Sequence, residues 1–206
     1  MEEIFRLTLE SVGTFAFAIS GIRLASAKNF DLFGAYVVGL CTAIGGGTIR
    51  DLLLDVSPFW MHNGLYMICT GLALLFALFF SGWLIKLKNT FFIFDTIGLG
   101  LFTVVGIEKT LAEGFPFWVA IVMGTITGAA GGILRDVFIN DIPLIFRKEI
   151  YALACVIGGL FYWLALKLNF DAITAGIICA TAVILCRFIA VKFEIGLPIL
   201  KGNENS

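Results

Sequence analysis

Two arginine–aspartate pairs, Arg50-Asp51 and Arg135-Asp136, stand in stretches otherwise built from Gly, Ala, Thr, Ile and Leu. Each follows a glycine cluster: Gly45-Gly46-Gly47-Thr48 before the first, and Gly128 with Gly131-Gly132 before the second. Each also has an acid forty residues upstream, Glu10 for Arg50 and Asp95 for Arg135. A charge in hydrocarbon costs at least about 2.5–3.5 kcal/mol, so such groups pair with one another or line a cavity. The chemistry this suggests is the holding and passing of ions. Bond-making chemistry has no equipment here. There is no Ser/His/Asp set and no central acid pair, so an enzyme is not expected. The single His62 and the five cysteines (41, 69, 155, 179, 186) lack metal-ligand spacing. A competing reading makes the two arginines helix-end cations that reach toward headgroups. The aspartate beside each one weighs against it.

The spacing of these residues is periodic on a larger scale. Sliding the chain along itself by 85 residues, without a gap, superposes Gly13 on Gly98, Phe17 on Phe102, Gly39 on Gly124 and Thr42 on Thr127. The same shift carries Gly46-Gly47 to Gly131-Gly132, Pro58 to Pro143 and Tyr66 to Tyr151. Each unit is long enough for three membrane crossings. Three is odd, so the second copy must enter the bilayer upside down, the arrangement of many transporters and some channels.

Composition supports the membrane. The chain is 60% hydrophobic and 14% charged, with a mean hydropathy of +1.01. A hydrocarbon core of about 30 Å needs roughly 20 residues per helix. Seven segments qualify: 5–27, 31–54, 64–86, 91–112, 116–139, 149–168 and 172–193. The expected fold is all-α, a polytopic membrane protein of two inverted three-helix repeats (5–86 and 91–168) plus a seventh helix (172–193), in a single domain over 1–206. No small-residue cleavage site follows a basic start, so the first segment reads as a span and not as a leader. With that alternation, ten of the fourteen Lys and Arg residues fall on one side. The positive-inside rule then puts the N-terminus outside and the C-terminus in the cytoplasm. Arg187 and Lys192 read as an anchor at the cytoplasmic end of the seventh helix, and Lys148-Glu149 as a solvated pair.

Consecutive glycines weaken a helix by roughly 1 kcal/mol each relative to Ala and often mark kinks. In lipid, freed backbone groups are tolerated only beside protein or a water-filled cavity. The glycines of the second and fifth segments therefore predict two broken helices flanking a polar path. Their carbonyls would help coordinate a partly dehydrated cation. Helix direction places Glu10, Arg50 and Asp51 at the outer mouth, and Asp95, Arg135 and Asp136 at the inner one, as vestibule or gate residues.

Gly-Gly-Gly-Thr-Ile-Arg-Asp at 45–51, Gly-Gly-Ile-Leu-Arg-Asp at 131–136, Pro143 with Lys148-Glu149-Ile150-Tyr151, and the closing Gly196-Leu197-Pro198 together resemble a known family. It is the prokaryotic trimeric intracellular cation (TRIC) channel superfamily, in its bacterial glycine-transporter-domain branch. The resemblance spans nearly the whole chain. It implies a homotrimer in a prokaryotic plasma (inner) membrane, with one pore per subunit lined by helices 1, 2, 4 and 5 and a peripheral seventh helix. It implies permeation by monovalent cations, chiefly K⁺, with no cofactor beyond permeant K⁺ or Na⁺ bound in the pore. The partners are membrane lipids and the permeant ions, not nucleic acid. The alternative is a secondary transporter for glycine or a similar small solute, which would require a closed midplane pocket.

Overall fold

The computed structural model describes residues 2–80, 90–147 and 149–198. Within them the chain forms seven α-helices: α1 (Glu2–Ala27), α2 (Leu32–Leu53), α3 (Leu65–Phe79), α4 (Thr90–Ala112), α5 (Phe117–Phe138), α6 (Ala152–Lys167) and α7 (Ala172–Lys192). Two short 3₁₀ turns, Phe59–Met61 and Leu144–Phe146, follow α2 and α5. Five helices are long and apolar enough to cross a membrane. The α3 and α6 helices are shorter, at 15 and 16 residues. The α6 helix starts later than the apolar run predicts, because Glu149–Tyr151 is a bend that turns Tyr151 into the interior.

Helix ends repeat as faithfully as the helices do. Asn29 after α1 and Gly114 after α4, 85 residues apart, are both left-handed (φ 60° and 81°). So are Asp55 after α2 and Asn140 after α5 (φ 57° and 56°). Each residue beyond closes back on the last turn, as in Val56 N–H to Asp51 O at 3.0 Å and Asp141 N–H to Asp136 O at 2.8 Å. Starts are less symmetric. Asp31 caps α2 by accepting from Gly34 N–H at 2.7 Å, and Pro116 stands at the same place before α5. Asp171 caps α7 through Thr174 N–H and Oγ1.

Packing reveals how the two units are related. A Cβ on Gly13 of α1 would meet Leu101 and Phe102 of α4, and one on Gly98 of α4 would meet Phe17 of α1. Residue numbers rise on one helix as they fall on the other, so α1 and α4 run antiparallel. The two contacts also exchange under the 85-residue shift. The same holds for α2 and α5, where Gly46 faces Thr127 and Gly131 faces Thr42. A two-fold axis lying across the helices, between α1 and α4 and between α2 and α5, produces this exchange, and it is the inverted relation expected from an odd-helix repeat. On that axis the rings of Phe17 and Phe102 stack, with centroids 5.4 Å apart and planes 7° from parallel. The α7 helix lies outside the repeat and packs on α4 and α6, with Ala175, Cys179 and Val183 fully buried.

Candidate functional site: two charged networks and a glycine crossing

The glycine clusters of α2 and α5 meet at the centre of the molecule. A Cβ on Gly46 would lie 2.1 Å from Thr127 O, and one on Gly131 would lie 2.2 Å from Thr42 O. The helices thus touch backbone to backbone, an approach only glycine permits. Both helices run continuously through their glycines and are not split into separate segments. The glycines stand where side chains would collide at the crossing. The other glycines of the clusters face different neighbours. Gly45 faces Leu134, Gly47 the Phe59 ring, Gly128 Thr103 and Leu99 O on α4, and Gly132 Tyr151 Oη. Thr48 lies apart from the crossing and accepts from Trp60 Nε1 at 3.0 Å.

The last turn of α2 carries Arg50 and Asp51, both fully buried. Neither arginine of the chain's two pairs reaches outward, since Arg135 is fully buried as well, and the headgroup reading falls. Arg50 Nε donates to Asp51 Oδ1 at 2.8 Å, and Nη2 lies at the same distance. Lys109 of α4 brings its Nζ to that oxygen at 2.8 Å. The other oxygen, Oδ2, accepts from Phe59 N–H at 2.8 Å, which fastens the 3₁₀ turn to the helix end. Glu10 is buried nearby, yet its bonded partner is the Tyr66 hydroxyl, which donates to Oε2. The pairing of Glu10 with Arg50 expected from the sequence is therefore replaced by Glu10 with Tyr66. A glutamate is long enough to reach the tyrosine, and Lys109 makes up the charge balance around Asp51.

The second network repeats the plan with different partners. Arg135 Nε donates to Asp136 Oδ1 at 2.8 Å, and Asp136 Oδ2 accepts from Leu144 N–H at 3.0 Å. Here the acid does meet the arginine: Arg135 Nη1 donates to Asp95 Oδ1, and to Ser20 Oγ on α1 at 2.8 Å. The guanidinium also lies over the Phe91 ring, 4.8 Å from its centroid. Arg135, Asp95, Asp136 and Tyr151 are all buried. The gate residues read from the sequence thus fall into two clusters. Arg135, Asp136 and Asp95 form one, and Arg50, Asp51 and Glu10 gather in the other around Phe59 and Tyr66.

The units carrying these networks are recognisable in other proteins. The glycine transporter family profile matches residues 7–82 and again 92–167, the same 85-residue shift. The UPF0126 inner membrane protein YadS of Escherichia coli is 37% identical over 205 residues, covering 96% of this chain and 97% of that protein. The chain belongs to the bacterial glycine-transporter branch of the TRIC superfamily. A solved TRIC orthologue from Rhodobacter sphaeroides is 31% identical, with a TM-score of 0.86 over 92% of this chain and 98% of its own. A structure described as the basis for conductance through TRIC cation channels is 32% identical, with a TM-score of 0.85 over 95% of this chain and 97% of its own.

Four participants of this TRIC-superfamily fold were not legible from charge pattern alone. Lys109 sits on a helix of the other unit, and its place near Asp51 depends on the crossing of α2 and α4. Tyr66 and Tyr151 superpose in the repeat, but their approach to Glu10 and Gly132 needed the fold. Arg187 reads as a cytoplasmic anchor in sequence. It is instead buried at 1% exposure, with Nη1 donating to Glu149 Oε2 at 3.0 Å and to Ile150 O at 3.1 Å. Its guanidinium lies 5.1 Å from the ring centroids of both Phe92 and Tyr151. Glu149 is thereby engaged and not simply solvated; Lys148 lies outside the described residues. The partial insulation of Arg187 from water follows from its packing against aromatic faces.

Proposed function

We propose that the chain is a monovalent-cation channel, chiefly for K⁺, with its own path in each subunit of a homotrimer. The observation that carries this reading is the pair of buried, carboxylate-balanced arginine networks on either side of a two-fold axis, joined by a pinched crossing. An arginine in a cation path raises a local barrier unless carboxylates offset it, and both networks supply them. The path runs along α1, α2, α4 and α5, past Glu10, Arg50 and Asp51 at one mouth and Asp95, Arg135 and Asp136 at the other. The Gly46–Thr127 and Gly131–Thr42 contacts, with the Phe17–Phe102 stack, form the closed point. Opening requires α2 and α5 to slide or part there. Likeness to proteins described as TRIC cation channels supports the ion class and the trimer. The chain is read as one membrane domain over 1–206, with its N-terminus outside and C-terminus in the cytoplasm of an inner membrane.

The family description favours a second reading, transport of glycine. A midplane carboxylate pocket would be needed, and at the midplane α2 and α5 are in backbone contact. Purified protein in liposomes separates the two. A K⁺ gradient should drive a current without concentrative uptake of labelled glycine. Uptake of glycine with no ionic current would overturn the channel reading.

A further inference from the structure

The two networks occupy corresponding places, so any difference between them has to be made good locally. In the first, the Tyr66 hydroxyl closes on the acid Glu10. In the second, the corresponding pair is Tyr151 and Asp95. Aspartate is one methylene shorter, and its Oδ1 turns to Arg135 instead. Tyr151 Oη and Asp95 Oδ2 are left without a hydrogen-bond partner, although both residues are at most 1% exposed. Each is an oxygen with accepting capacity, and each lies beside Arg135. A Cβ on Gly132 would sit 2.3 Å from that hydroxyl and 3.5 Å from Arg135 Nη2. Orphaned buried oxygens of this kind call for a water or an ion.

Charge decides between these. Around Asp51 the carboxylates Asp51 and Glu10 are offset by Arg50 and by Lys109. The 85-residue shift puts Leu24 in the position of Lys109, and Leu24 packs against the apolar core. Asp95 and Asp136 therefore share one arginine, Arg135. The nearest other buried cation among the described residues, Arg187, is paired with Glu149. Among the described residues one negative charge in a buried cluster is left over, and a buried uncompensated charge is strongly unfavourable. We infer that a monovalent metal cation, K⁺ or Na⁺, binds between Asp95 Oδ2 and Tyr151 Oη. It does for the second network what the tethered ammonium of Lys109 does for the first. This rests on the channel reading only in supplying the ion. The site would exist in a transporter as well.

The test is thermal unfolding of the detergent-solubilised protein in KCl, NaCl or N-methyl-D-glucamine chloride at equal ionic strength. A bound cation should raise Tm by about 3 °C in K⁺ or Na⁺ over the organic cation. Tyr151→Phe should abolish most of that rise. Leu24→Lys, which gives the second unit its own tethered ammonium, should make Tm independent of the salt. Equal Tm in all three salts means a water fills the gap, and an effect of pH with none of cation means a proton does. Either result overturns the site, as does a K⁺ effect that survives both substitutions. Should the variants not fold, anomalous scattering from Tl⁺-soaked crystals of the unaltered protein decides: a peak between the two oxygens is expected, and a peak only elsewhere refutes it. Liposome flux is measured separately, so loss of the channel reading and loss of the cation site are told apart.

Discussion

Arg135 is held on several sides at once. Its guanidinium serves Asp95, Asp136 and Ser20 while shielded from bulk solvent. Removing one partner of a buried charged pair leaves the other uncompensated, at about 3–5 kcal/mol. Arg135→Gln should therefore lower stability by that order and change K⁺ current. Asp136→Asn should shift the current in the opposite sense. The double variant should depart from the sum of the singles by more than about 0.5 kcal/mol, because the groups touch. Single-channel recording with thermal unfolding checks both, and strict additivity would mean the groups act independently. Lys109 provides the contrast. It is partly exposed, so Lys109→Met should lose less stability than Arg135→Gln, and the loss should be smaller in K⁺ or Na⁺, which can take the ammonium's place, than in an organic cation.

Elements meet where side chains are absent, and the glycines differ accordingly. Gly46→Ala and Gly131→Ala would each press a methyl into a backbone carbonyl of the facing helix. Overpacking of this kind typically costs about 1–3 kcal/mol, and the helices would have to separate. Both variants should unfold earlier and show altered unitary conductance. Gly132→Ala presses instead on the end of a tyrosine side chain, and it should disturb gating more than folding. Gly71 of α3 has nothing within 4 Å of its added Cβ, so Gly71→Ala should leave current unchanged and add roughly 0.5–1 kcal/mol of helix stability. If Gly46→Ala behaves like Gly71→Ala, the crossing is not a contact under load. The cap of α7 gives a pH signature. Hydrogen bonds from Thr174 hold the Asp171 carboxyl below its usual range. A depressed carboxylate contributes stability above its unfolded pKa of about 3.9, and that contribution is lost as pH falls through the lower folded value. Amide protection factors in the first turn of α7, taken relative to the intrinsic exchange rate at each pH, should fall on acidification through that window. Asp171→Ala should remove the pH dependence.

The whole molecule is two copies of one unit, turned over and crossed, with α7 added on one flank. The turnover follows from three helices per unit, and it predicts that α7 puts the chain ends on opposite sides of the membrane. Cysteine-accessibility labelling of the termini should find the N-terminus outside and the C-terminus inside. Both on one side would contradict the assignment of α3 or α6 as spans. The copies are unequal electrically. Lys109 balances the first network, Leu24 stands in its place in the second, and the long axis of the subunit is thus polarised. An asymmetric current–voltage relation should follow, and the pair Leu24→Lys with Lys109→Leu should reduce or reverse it.

Sequence alone determined everything that depends on local spacing. Apolar run lengths set the number of helices, the 85-residue shift set the repeat, and odd helix count set its inversion. The cost of charge in lipid marked Arg50, Asp51, Arg135 and Asp136 as partnered groups. Tertiary structure decided who the partners are, because that depends on which helices cross and at what height. Glycine clusters have two physical outcomes, a broken helix or a close crossing, and only the position of α5 against α2 selected the second. Glu10 and Asp95 align in sequence but differ by one methylene. In the fold that difference sends one to a tyrosine and the other to an arginine. Arg187 had no repeat partner to flag it, and its burial arises from α7 lying against both the turn at Glu149–Tyr151 and Phe92 of α4.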